Sequence, residues 1–189
     1  NADDLGRLDA SAIDAVREEA WPEARDADEM HEALMGLGVV TEAEAQAHPN
    51  WAEWLRRLAK DHRATLVAPA FVGGASAPTS QSGLKPQKLW VAAERLPQLQ
   101  ALHPDALLQP SIEAPAEYAR QTWTREDAAP ELLRSRLTGL GPTPAAELAG
   151  TLSIPALEAD MALLRLQSEG YAMQGRFTPG IGVDEWCER

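Results

Sequence analysis

Apolar residues recur at three- and four-residue spacing in several stretches of this chain, and those stretches predict helices. Ile13, Val16 and Ala20 share a face over Asp9 to Ala20, with Asp9 placed to cap the start. Trp21-Pro22 ends that helix, because proline disfavours helical geometry in the residue before it. A second helix runs from about Asp26 to Leu37, capped by Asp26 or Asp28 and lined by Met30, Leu34 and Leu37, with Gly36 and Gly38 at its exit. Val39-Val40-Thr41 is short and extended, and Thr41 with Glu44 has the spacing of a capping box for another short helix. Trp51, Trp54, Leu55 and Leu58 then fall at i, i+3, i+4 and i+7, the mark of an amphipathic helix.

Beyond it the pattern changes. Ala64 to Ala68 and Lys88 to Ala92 are short apolar runs, and Gly73 to Gly83 between them has no periodicity. This predicts two antiparallel strands joined by a long loop, so that residues 9–95 read as a first winged-helix-like unit. Residues 1–8 are a lead-in, with Asn1-Ala2 resembling a tag remnant. Residues 96–125 contain Pro97, Pro104, Pro110 and Pro115 with short helical patches such as Gln98 to Leu102, and read as a connector.

The second unit, 126–189, has the clearest pattern. Ala129 to Leu137 predicts a helix presenting Leu132, Leu133 and Leu137, ended by Gly139 and Gly141. Thr143 is placed to cap a short helix over Pro144 to Ala149, with proline at the first helical position. Ser153 and Pro155 open a third helix through Ser168, and Gly170 supplies its left-handed end. Alternation from Tyr171 to Phe177 predicts a strand that stops at Pro179-Gly180. Trp186 to Arg189 read as the start of a further element cut short. The predicted fold is mostly α with small β-hairpins, an α+β chain of tandem winged-helix or helix-turn-helix units.

Composition narrows what such units could do. At 44% hydrophobic residues the chain has material for buried cores, and no apolar run approaches the roughly 20 residues of a membrane helix. A lone cysteine, Cys187, allows no internal disulfide and fits a reducing cytoplasm. The net charge of −12 argues against a uniformly basic nucleic-acid binder, but it is unevenly spread. Residues 1–45 carry 13 acids and 3 bases, whereas residues 46–95 carry 3 acids and 7 bases. Only that second stretch is cationic.

Four segments resemble the large helicase-related (Lhr) family of bacterial superfamily-2 helicases, in the long C-terminal region of its larger members. They are AIDAVREEAWPEARDADEMHEALMGLG, LWVAAERLPQLQALHPDA, ELLRSRLTGLGPTPAAELAG and LRLQSEGYAMQGRFTPG with the following DEWCER. The resemblance implies a piece of a longer protein, with an ATP-driven translocase core before it and the family pattern continuing past Arg189. It implies winged-helix modules related to a class of winged-helix DNA glycosylases, working in DNA repair on single-stranded DNA or DNA–RNA hybrid. It also makes neighbouring domains of the same protein, or further copies, expected partners. Neither a glycine-rich Lys-Ser/Thr phosphate loop nor an Asp-Glu-x-His box occurs in these residues, so ATP and magnesium are expected only in the helicase core.

The candidate nucleic-acid-binding residues follow from the charge distribution. Arg56, Lys60 and Arg63 fall on one predicted helix face opposite the Trp54–Leu58 stripe, Arg57 beside them, and Lys85 and Lys88 lie across the loop. A basic third helix with a basic wing neutralises phosphates and releases counterions; alternatively these cations balance the acidic first 45 residues. In the second unit, Glu158, Arg165 and Glu169 are expected on the face away from Leu157, Met161 and Leu164, an acidic outer face suited to packing on another domain. On the strand, Arg176 is a possible backbone contact. Trp51, Trp54 and Trp90 read as core, and Trp123 is the tryptophan least constrained by pattern. No catalytic or metal site is expected: the four histidines are scattered, Asp61-His62 has no nucleophile placed beside it, and Gln98-Leu99-Gln100 reads as helix surface despite echoing a glycosylase motif.

Overall fold

The computed structural model describes residues 9–70 and 86–189. The first helix, α1 (Ala10–Ala20), is capped by the Asp9 side chain, which accepts a hydrogen bond from Ser11 N at 3.0 Å. The second, α2 (Ala27–Leu37), is capped by Asp26, which accepts from Asp28 N and Glu29 N. After the short strand β1 (Val40–Thr41) comes α3 (Glu42–Ala47), whose capping box is complete: Thr41 Oγ1 accepts from Glu44 N, and Thr41 N donates to Glu44. Helix α4 (Trp51–Lys60) buries Trp51, Leu55, Leu58 and Ala59. Strands β2 (Ala64–Ala68) and β3 (Leu89–Ala92) pair antiparallel, with Ala64 opposite Ala92 and Leu66 opposite Trp90. The expected Gly73–Gly83 loop lies outside the described residues.

Within the stretch 96–125 expected as a connector, a helix and a strand pack on the rest of the chain. Helix α5 (Leu96–Leu102) places Leu96, Leu99 and Leu102 fully inside the core, and β4 (Leu107–Gln109) extends the first sheet. That sheet has the order β1-β3-β2-β4. Strands β2 and β3 within it are covered on both faces, which explains the unbroken apolar run Leu89-Trp90-Val91-Ala92. Trp90, Ala92, Ala64 and Leu66 face a core built with α2, α3 and α4. Leu89, Val91 and Val67 face another, shared with α5 and the second half of the chain. The prolines that suggested a linker start α5 and bound its surroundings instead.

After a short helix α6 (Ala116–Ala119), the second half repeats the order α2-β1-α3-α4-β2-β3 of the first: α7 (Arg125–Thr138), β5 (Thr143–Pro144), α8 (Ala145–Leu152), α9 (Ala156–Ser168), β6 (Ala172–Gly175) and β7 (Glu185–Glu188). The sheet order is β5-β7-β6, again first-third-second. Two expectations change. Thr143-Pro144 is a strand rather than a helix start, and Thr143 Oγ1 donates to Gly141 O at 2.9 Å instead of capping. The last residues are the middle strand of the sheet, with Trp186 opposite both Thr143 and Gln174. Gly170 has φ +77°, the left-handed helix end expected there.

Within α7, Pro130 cannot donate to the carbonyl of Glu126. That carbonyl accepts from Arg165 of α9 instead, at 3.3 Å. The charged residues of α9 are thus drawn onto α7: Arg165 also meets Asp127 at 3.0 Å, Arg125 meets Glu158 at 2.8 Å, and Arg134 pairs with Glu169.

The two halves meet along α2, α5 and α7. Arg136 of α7, only 2% exposed, donates to Glu44 Oε1 at 2.6 Å and to Val39 O at 3.0 Å. Its guanidinium lies 5.5 Å from the Trp21 ring centre. Gly38 (φ +76°) lets the end of α2 approach α7, since a Cβ there would stand 3.2 Å from Leu132 and Ser135. Buried His103, just after α5, bonds through Nε2 to Leu152 O of α8 at 2.8 Å. Among the described residues, no helix is long and apolar enough to cross a membrane.

Two outcomes follow from these contacts. Arg136→Ala leaves Glu44 without its partner and should lower stability by about 3 kcal/mol in urea denaturation; a loss below about 1 kcal/mol would show that the halves do not depend on it. Burial holds the His103 pKa below its ordinary 6.5, outweighing the Leu152 hydrogen bond. The unfolded chain therefore binds that proton first, and stability should fall as pH drops from 6.5 toward the lower folded value. His103→Gln should flatten this part of the pH–stability curve, and an unchanged slope would refute the assignment.

Candidate nucleic-acid interface

Helix α4 begins at Asn50, which takes a left-handed conformation (φ +67°) and makes no side-chain cap. Its buried stripe fixes the orientation of the rest. Arg56, Arg57 and Lys60 are exposed and have no ion-pair partner among the described residues. They lie close together on the outward side of one helix, and Arg57 and Lys60 sit in its last turn, where cations are favoured by the carbonyl ends.

The other candidates are placed differently. The helix stops at Lys60, and His62 at φ +58° turns the chain, so Arg63 does not continue the helical face. It reaches across to Asp28 at 2.5 Å, and that hydrogen-bonded guanidinium holds the Asp28 carboxyl below the ordinary carboxylate range. Lys88 lies 3.8 Å from Glu42 at the start of α3. Both pairs tie the cationic stretch to the acidic first 45 residues, and both remain open enough for solvent to weaken them. Lys85 lies outside the described residues. Arg176 belongs to the other half and bonds Asp184 across the β6–β7 hairpin at 3.1 Å. The three cations of α4 are thus brought together, whereas Arg63, Lys88 and Arg176 are not.

In the repeat, α9 occupies the place of α4, and its faces are reversed from expectation. Ala159, Ala162, Leu163 and Leu166 are buried, whereas Leu157, Met161 and Leu164 are 71%, 66% and 53% exposed. Glu158, Arg165 and Glu169 flank α7 and pair with it, so they do not form an acidic outer face. The reason is competition between two apolar stripes on one helix. Small alanines allow close approach to α7 and α8, and the arginines of α7 fix the rotation by pairing with the acids beside that stripe.

Several residues escaped the sequence pattern. Trp21, His48 and Trp51 stack with nearly parallel rings, His48 and Trp51 at 4.4 Å between centres. Trp21 was legible only as a helix end, and nothing local marks Arg136 as buried. Trp51 and Trp90 are core as expected, Trp54 is half-buried, and Trp123 packs against the larger core. Gln98 is buried with Oε1 unpartnered, not on the surface, while Gln100 is exposed. Asp61 and His62 are exposed in a turn, and no group of three or more metal-ligating side chains occurs among the described residues. No protein-family model matches the chain, and no curated protein matches it either.

The orientation of α9 has a direct check. Leu157→Gln with Leu164→Gln should lower the urea midpoint only slightly, because both side chains stay mostly in water on folding. Leu163→Ala should cost about 2–5 kcal/mol. A reversal of these two effects would mean that the helix is rotated.

Proposed function

We propose that this chain is a non-catalytic nucleic-acid-engaging region made of two winged-helix units, in which α4 is the contacting helix. The unpaired Arg56, Arg57 and Lys60 on one outward face carry the reading: a cluster of uncompensated cations on a protein of net charge −12 lies where phosphates can reach it. The twice-repeated order helix–strand–helix–helix–strand–strand, with sheets ordered first-third-second, supports the winged-helix assignment. Together with the resemblance to the Lhr family, it favours a role in positioning single-stranded DNA or DNA–RNA hybrid for a helicase acting in DNA repair. The chemistry of ATP hydrolysis would belong to that helicase core.

A second reading has its own observation. The exposed Leu157–Met161–Leu164 stripe on α9 suits contact with protein rather than phosphate, and favours an assembly role for the second unit. The two roles are compatible, because the faces belong to different helices.

Fluorescence anisotropy with labelled single-stranded, duplex and hybrid oligonucleotides tests the first reading. Three phosphate contacts predict a log–log salt slope of about −2 to −3. Arg56→Glu with Lys60→Glu should abolish binding at low salt. Binding that survives this double reversal, or none by the unaltered chain, would remove α4 as the interface.

A further inference from the structure

An open groove of about 960 Å³ separates the end of α1 and the segment after it from the corner joining α3 to α4. That volume is at the upper end of the range for ligand sites, roughly 300–1,000 Å³. The stacked Trp21, His48 and Trp51 form part of its lining. Trp51 is buried and Trp21 already carries Arg136, so these rings hold the groove's shape. Trp54, half-buried on the same lining, keeps indole surface open to a ligand.

The charged groups decide which ligand fits. Arg17 is held by Asp14, Pro142 O and Thr178, Arg25 by Glu29, and Glu44 by Arg136. Glu18 and Glu23 are exposed and have no ion-pair or hydrogen-bond partner among the described residues. The free charge at the rim is therefore negative. A phosphate would be repelled there, whereas a guanidinium gains from both carboxylates and from the face of an indole. Arginine suits the site better than lysine, because its planar group stacks on an aromatic ring while its edges donate hydrogen bonds.

We propose that this groove receives an arginine side chain presented by an extended segment of a partner protein. Charge complementarity and the open indole select that occupant. Pro22 and Pro49, also on the lining, offer apolar surface for the flanking backbone. The proposal does not depend on nucleic-acid binding by α4, since it uses none of the three cations there.

The test is fluorescence anisotropy of a labelled Gly-Gly-Arg-Gly-Gly peptide against the full chain, beside the same peptide with citrulline, which is isosteric but neutral. The arginine peptide should bind saturably, and the citrulline peptide several-fold more weakly. Glu18→Gln with Glu23→Gln should weaken arginine-peptide binding about fivefold, the effect of two exposed charge pairs. Trp54→Ala should remove binding, and Trp54→Phe should retain most of it. Arg56→Glu with Lys60→Glu should leave it intact, which separates this site from the nucleic-acid surface. No saturable binding, equal binding of arginine and citrulline, or indifference to the Glu18 and Glu23 substitutions would each overturn the proposal. So would displacement of the peptide by single-stranded DNA in the Arg56→Glu, Lys60→Glu variant.

Discussion

A buried arginine holds the two halves of this molecule in register. Arg136 leaves the last turn of α7 and enters the first unit, where Glu44 and the carbonyl of Val39 accept its hydrogen bonds and the Trp21 ring lies beside its guanidinium. Glu44 is at the same moment the capping-box carboxylate of α3. One side chain thus closes a helix start and anchors a neighbouring unit. Because a charge removed from water is tolerated only with well-placed partners, the geometry around Arg136 is narrowly constrained. The close passage of Gly38 against α7 and the stacked rings beyond Trp21 both follow from that constraint.

The first sheet has a related role. The residues of β2 and β3 alternate between two cores, one belonging to α2, α3 and α4 and the other shared with α5 and the second half. A strand with water on one face would show alternating polarity; β3 does not, since all of its residues are buried. Helix α5 lies in the seam and contributes three fully buried leucines. The result is two topologically similar units that share interior.

Local patterns were legible where the physics is local. The caps of α1, α2 and α3, the left-handed end at Gly170 and the antiparallel pairing of β2 with β3 all depend on residues near one another in sequence or on simple alternation. What misled was set at long range. The prolines between Leu96 and Pro115 suggested a linker, but burial against distant helices decides the fate of α5. Helix α9 offers two apolar stripes, and periodicity cannot choose between them. The choice is made by arginines of α7, whose relevance appears only once the helices are packed. For the same reason the cluster at Arg56, Arg57 and Lys60 was visible as charge, while the engagement of Arg63 with Asp28 was not.

Pro130 gives α7 a further property. A helix normally supplies its own hydrogen bonds and can form before its neighbours arrive. Here one rung of α7 is supplied from outside, by a side chain 35 residues further on, Arg165 to Pro130 being the separation. The first turns of α7 are thereby joined to the third helix of the unit by a hydrogen bond that α7 cannot make for itself. A backbone acceptor left open inside one helix has in this way become an attachment point for another, and it ties together the unit's two longest helices.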